Sequence, residues 1–236
     1  MKLIVTGATG YVGSEVVRQS LQRADITSVV AVARKKVTAP SDAGENASKL
    51  KSVVIKDYAE YPDEVKREFA GANACIWTVA ITPARSRTYA WDVVKHVCQT
   101  STLVGLKAMY EARPAKPFRF LYMSGFNTER DQTKTPSMMP QYSLMRGETE
   151  NQVLAFAAEH AGEVEASVAK CGLISGNSML RTMMASAARA LTSTPTLTVQ
   201  DLSAAMIDQA LKGFEKEEMS SEDLTRIGKE MLAKQK

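Results

Sequence analysis

The chain has 236 residues, 44% of them hydrophobic and 24% charged, with a net charge of +4 at pH 7. That size and balance fit one large domain and exclude a disordered or collagen-like chain. The cations are scattered, with Arg34-Lys35-Lys36 as the only run of three, which argues against a nucleic-acid stripe. No apolar run reaches the roughly 18 residues of a membrane span. Near the start, Lys2 and a short apolar stretch are interrupted by Gly7, unlike the core of a signal peptide. Cys75, Cys98 and Cys171 are odd in number and widely spaced, and only His96 and His160 stand by to assist them. Neither a metal site nor a disulfide framework is expected, and the expected compartment is the reducing cytoplasm.

In chain order, Leu3-Ile4-Val5 reads as a strand, and a helix over Ser14–Arg23 follows with Val16, Val17 and Leu21 at helical spacing. Strands are expected at Val29–Ala33, Val53–Ile55, Ala74–Ala80, Phe118–Met123 and Glu165–Val168, with a short one at Leu197–Val199. A polar loop covers Val37–Ser48. Helices are expected at Glu64–Phe69, Trp91–Ala112 and Gln141–His160, the last with Pro140 near its start. A further helix runs from Asp201, read as its N-cap, to a stop at Gly213. The charged tail from Glu215 reads as a surface helix packed by one stripe of Leu224, Ile227, Met231 and Leu232. Strands alternating with helices predict an α/β, doubly wound parallel sheet covered on both faces. The expected organisation is a single domain over 1–236, with 175–236 forming a small C-terminal, substrate-side portion.

Thr6-Gly7-Ala8-Thr9-Gly10-Tyr11-Val12-Gly13 lies between the first strand and the first helix. Glycine at this spacing lets the backbone turn tightly and approach a pyrophosphate, while the helix N-terminus offers N–H groups and a positive dipole end. In that position the pattern predicts dinucleotide binding through Thr6, Gly7, Thr9, Gly10, Tyr11, Val12 and Gly13. About twenty residues on, where an adenosine ribose is read, stand Arg34 and Lys35 instead of an acid. Cations suit a 2′-phosphate, so NADP(H) is preferred over NAD(H). Asp57-Tyr58, after the third strand, fits either an adenine flank or a plain turn.

The glycine loop resembles that of the extended and atypical short-chain dehydrogenases/reductases, including the NmrA-like branch, and the resemblance runs to about Gly213. Leu121-Tyr122-Met123-Ser124 is similar to the strand carrying that family's active-site serine, and Tyr142 to Arg146 falls on its Tyr-x-x-x-Lys. Glu150 falls where many extended members have an acid. Lys170-Cys171-Gly172 resembles the family's Arg-Pro-Gly segment, and Thr198 to Ala205 its V-x-D-L-A segment. Two departures stand out: Arg146 replaces the lysine, and Cys171 the proline. The resemblance implies a Rossmann fold, a small-molecule substrate, Ala80 on the cofactor side and Trp77, Ile81 and Trp91 beside the pocket. It does not fix an oligomeric state.

By the same resemblance Ser124, Tyr142 and Arg146 form the catalytic set. Tyr142 and Arg146 share a helix face. The tyrosine would protonate a carbonyl oxygen, the serine would donate to it, and the cation would favour phenolate. Arginine keeps its proton at any workable pH, so a lysine-type relay is compromised. The plainer reading makes Arg146–Glu150 a surface pair and Ser124 a strand-end cap. His96 reads as structural, Cys171 as a small buried residue, and Met138, Met139, Met145, Met179, Met183 and Met184 as gap fillers. The expected function is an NADP(H)-dependent oxidoreductase of a small or medium, fairly apolar carbonyl or alcohol. Alternatives are a redox-neutral isomerase, lyase or cyclase on the same fold, or a non-catalytic dinucleotide sensor.

Overall fold

The computed structural model describes residues 1–176 and 195–234. Its elements are β1 (Lys2–Thr6), α1 (Tyr11–Gln22), β2 (Ser28–Ala33), a 3-10 segment (Ser41–Lys49), β3 (Leu50–Val54), α2 (Asp63–Phe69) and β4 (Ala74–Trp77). There follow α3 (Pro83–Ser86), α4 (Trp91–Lys95), α5 (Ser101–Glu111), β5 (Phe118–Gly125), α6 (Pro140–Glu159) and β6 (Val164–Cys171). The chain ends with β7 (Leu173–Ser175), β8 (Thr196–Thr198), α7 (Val199–Lys212), β9 (Glu218–Met219) and α8 (Ser221–Ala233). A π turn over His96–Thr100 joins α4 to α5.

Seven strands form one sheet in the order β3-β2-β1-β4-β5-β6-β9, and every pairing is parallel. This is the strand order of a Rossmann sheet with one short strand added at the edge. Because side chains alternate across a strand, each strand feeds two cores. Leu3, Val5, Val29, Ala31, Ala74, Ile76 and Leu121 pack on one face against α1, α7 and α8. Ile4, Val30, Val32, Cys75, Trp77, Phe120 and Tyr122 pack on the other with α2 and α5. The stripe expected in the tail is real: Leu224, Ile227 and Met231 of α8 are buried.

Several expected boundaries move. β4 ends at Trp77, not Ala80, and Trp77 is a fully buried core residue rather than a pocket wall. β6 runs on to Cys171, whose register partner is Gly125. Asp201 is not an N-cap: its N–H donates to Thr198 Oγ1 at 3.0 Å, so Thr198 caps α7 and Asp201 stands in the first turn. Part of the polar loop winds into the 3-10 segment. No helix of the described residues is long and apolar enough to cross a membrane, and among them no group of three or more His, Cys, Asp or Glu is placed to hold a metal.

Candidate active site

The loops after β1 to β5 gather at the C-terminal edge of the sheet, where the strand order reverses between β1 and β4. Ligands of open α/β sheets bind at such a switch point. Gly7 holds φ +68°, a left-handed conformation that side chains disfavour. A Cβ on Gly13 would land on the Gly7 carbonyl. The turn is closed by Gly10 N–H donating to Gly7 O at 2.8 Å. The first turn of α1 holds no acidic residue, and Gly10 at its N-cap contributes no side-chain cap. Such a cradle, backbone-lined and electropositive, fits a dinucleotide's pyrophosphate.

The other residues predicted to hold the cofactor lie in the loop itself and on the segments after β2, β3 and β4. Thr6 is fully buried at the end of β1, and its carbonyl accepts from Thr78 Oγ1 at 2.7 Å, tying the β1 and β4 ends together. Thr9 is exposed, and the Val12 side chain is buried in the core. Tyr11 donates to Ser175 O at 3.1 Å, linking the loop to β7. Arg34 and Lys35 are exposed just past β2, and Ala80 is exposed three residues past β4. Asp57 accepts from Ala59 N–H at 2.8 Å and lies 2.9 and 3.0 Å from His96 Nε2 through its two oxygens. Burial opposes ionisation of Asp57, but the Ala59 amide, His96 and the Arg34 charge together hold its carboxyl below the usual range.

Of the three residues in the expected catalytic set, Tyr142 and Arg146 lie one turn apart on α6 and interact directly. Tyr142, on the first turns of α6, donates to Ile81 O at 2.8 Å. One turn on, Arg146 is buried; its Nη2 donates to Met123 O at 2.7 Å and its guanidinium sits 4.9 Å above the Tyr122 ring. Arg146 Nε and Nη1 are buried and find no hydrogen-bond partner among the described residues. Burial works against the Arg146 charge, yet Tyr122, Tyr142, Cys98 and Glu150 around it favour the cation, and its pKa rises. Burial also raises the pKa of Tyr142, and Arg146 offsets only part of that. The pair at neutral pH is therefore a neutral phenol beside a fixed cation.

Ser124 is engaged elsewhere. Its hydroxyl donates to Glu150 Oε1 at 2.5 Å, and a hydroxyl has one proton to give, so Ser124 is not a donor to a substrate oxygen in this arrangement. Glu150 is fully buried rather than paired with Arg146 at the surface. It also accepts from Thr128 at 2.5 Å, from Arg130 Nε at 2.9 Å and pairs with Lys170 Nζ at 3.0 Å. Spacing alone hides this network, because its members come from β5, the following loop, α6 and β6.

Ile81, Trp91 and Met139 pack around Tyr142 with Val94, Cys98 and Met145. Ile81 N–H donates to Cys98 Sγ at 3.3 Å. Met139, at the N-cap of α6, holds φ +47°, a strained position for a side-chain-bearing residue. Tyr89, Val93, Phe126 and Met138 are large apolar residues exposed on the segments following β4 and β5. Burial pushes the Cys171 thiol up to about 12, which leaves it an inert packing group. Met179, Met183 and Met184 lie outside the described residues. A wide cleft of about 1020 Å³ opens at the opposite edge of the sheet, among Leu154, Ala157, Gln209 and Met231, and none of the predicted site residues lines it.

Comparison with known proteins agrees with this geometry. A family described as NAD(P)H-binding matches residues 7–167, more than half of the chain. The Leucinostatins biosynthesis cluster protein T of Purpureocillium lilacinum is 35% identical over 78 residues, which is 33% of this chain and only 27% of that protein. Among solved structures, MoeE5 in complex with UDP-glucuronic acid and NAD superposes with a TM-score of 0.69 at 16% identity, over 93% of this chain and 75% of that one. Vestitone reductase from alfalfa (Medicago sativa) gives a TM-score of 0.65 at 18% identity, over 93% and 76%. At such identities the likeness is one of fold alone. With its glycine cradle at the switch point of a Rossmann sheet, the chain belongs to the NAD(P)H-binding family.

Proposed function

We propose that the chain is an NADP(H)-dependent oxidoreductase that reduces a small or medium, apolar carbonyl compound. The observation that carries this reading is the Tyr142–Arg146 pair, standing at the edge of the sheet that bears the glycine cradle. When bound, the nicotinamide supplies the hydride. Gly7, Gly10 and Gly13 seat the pyrophosphate on the N-terminus of α1, and Arg34 and Lys35 meet the 2′-phosphate. Tyr142 leaves the Ile81 carbonyl and gives its phenolic proton to the carbonyl oxygen of the substrate. Arg146 stabilises the resulting phenolate without giving up a proton of its own. Tyr89, Val93, Phe126 and Met138 favour an apolar substrate over a sugar, which would need more hydrogen-bonding side chains.

A second reading rests on Arg146 itself. A fixed cation with two buried nitrogens that find no acceptor among the described residues suits stabilisation of an oxyanion in an isomerisation or elimination with no net redox change. NADPH and NADH titration of the purified protein, followed by nicotinamide absorbance against a panel of apolar aldehydes and ketones, separates the two. Binding with consumption of NADPH supports the reductase. Binding without consumption on any carbonyl rejects it and favours redox-neutral catalysis or a sensor.

A further inference from the structure

The π turn over His96–Thr100 interrupts the regular helix between α4 and α5, and such single-turn insertions recur at functional sites. Its middle residue, Cys98, is fully buried and meets the loop after β4. Cys98 Sγ accepts from Ile81 N–H at 3.3 Å, and its S–H donates to Ile81 O at 3.7 Å, a long bond from a weak donor. One thiol thus holds both the amide and the carbonyl of a single residue. That carbonyl is the group that takes the Tyr142 hydroxyl at 2.8 Å, and the thiol also lies within hydrogen-bonding reach of the Tyr142 oxygen. Ile81 stands in neither helix nor strand, so no ladder fixes its carbonyl. The backbone of Cys98 is tied to the other half of the pair: its carbonyl accepts from Thr102 Oγ1 at 3.1 Å and from Tyr122 Oη at 3.5 Å. The Tyr122 ring in turn lies under the Arg146 guanidinium.

We propose that Cys98 is a positioning residue for Tyr142: the thiol fixes the Ile81 carbonyl, and that carbonyl fixes the phenol. Cys98 acts through Ile81 and not on the substrate. The proposal rests on the reading of Tyr142 as the acid of a carbonyl reduction. In that reading the Tyr142 ring stays where Ile81 O holds it, and only the O–H turns, about the C–O bond, toward the substrate oxygen. The acid then starts from one position, as proton transfer to a bound carbonyl requires. A thiol suits the place. It brings one weak donor and one weak acceptor into an apolar cluster with Val94, Trp91 and Met145, where a free hydroxyl is costlier to bury. If Cys98 only filled space, alanine would serve better there than serine. If it positions Ile81, serine serves better than alanine.

The test compares Cys98→Ala and Cys98→Ser with the unmodified chain in NADPH-dependent reduction of the carbonyl compound that the unmodified chain turns over fastest. Urea unfolding of each variant is read alongside. Alanine frees Ile81, and kcat is expected to fall between about tenfold and about 100-fold. KM and the NADPH dissociation constant are expected to stay within about twofold, because the binding contacts are untouched. Serine keeps a donor and an acceptor and is expected to recover most of the lost kcat, although in an apolar place it is no more stable than alanine. Turnover in the order unmodified, serine, alanine, with stability not following that order, supports the positioning role. Alanine as fast as the unmodified chain, or serine no faster than alanine, overturns it and leaves Cys98 a packing residue. If alanine loses the fold, serine decides alone, and a serine variant slowed by more than about tenfold overturns the proposal. If the unmodified chain reduces no carbonyl compound, or Tyr142→Phe turns over unchanged, the reading of Tyr142 as the acid falls and takes the proposal with it.

Discussion

Tyr142 keeps its proton because burial raises its pKa more than Arg146 lowers it. As the acid of a reduction it should therefore work evenly through neutral pH, with the rate falling only above the ordinary tyrosine range near 10. A kcat/KM profile for NADPH-dependent reduction checks this, and a basic limb below about pH 9 contradicts it. Tyr142→Phe removes one hydroxyl and its bond to Ile81 O. Turnover should fall at least about 100-fold, while stability changes by roughly 1 kcal/mol. Unchanged turnover in a folded variant would take the acid's role from Tyr142. Arg34 is exposed at the end of β2, so Arg34→Ala should leave the fold alone and weaken NADPH about tenfold more than NADH. Equal weakening of the two nucleotides would remove Arg34 from the 2′-phosphate site. The positions of Arg34, directly after β2, and Tyr142, near the start of α6, are legible because each stands on or beside a regular element. Ser124 was readable in place but not in partner: its hydroxyl goes to Glu150, 26 residues along the chain.

At the scale of elements, the strand–loop–helix unit of β1 and α1 is the most legible part of the chain, since every glycine in it answers a local steric demand. Gly13→Ala puts a Cβ against the Gly7 carbonyl. Backbone there has little room to give, so the variant should lose about 1–3 kcal/mol in urea unfolding and bind NADPH more weakly. Wild-type stability with wild-type affinity would show that the loop has slack the geometry does not. Element ends were less legible, for physical reasons. β9 has two residues, too few for a period to show, and it exists because Val168 and Ala169 offer it an edge. The start of α7 is not fixed by residue type because Asp201 and Thr198 are both good caps, and only the backbone decides which one lies outside the helix. Trp77 ends β4 with its ring turned into the core on the α2 and α5 side instead of lining a pocket, a direction that only the strand's end point sets.

Across the whole molecule, Glu150 is where the sheet edge, the long loop after β5 and the C-terminal strand are joined. Its carboxylate meets Ser124 of β5, Thr128 and Arg130 of the loop, and Lys170 of β6. Arg130 and Lys170 continue outward to Glu218 of β9 at 3.2 and 3.6 Å. A fully buried carboxylate persists only when its charge and lone pairs are matched, and here two cations and two hydroxyls do that. Glu150→Gln keeps the shape but removes the charge, leaving Arg130 and Lys170 partly unmatched in a poorly hydrated place. Breaking a buried pair from one side typically costs about 3–5 kcal/mol, and the exposed partners Glu217 and Glu218 recover only part of that. Equilibrium urea unfolding should therefore show a loss of roughly 3 kcal/mol. The glycine cradle is built by β1 and α1, which the network does not touch, so NADPH affinity of the folded fraction should stay within about twofold. A variant as stable as the unmodified chain would mean that the network's desolvation cost cancels its attractions. An affinity loss without a stability loss would instead couple the loop after β5 to the nucleotide.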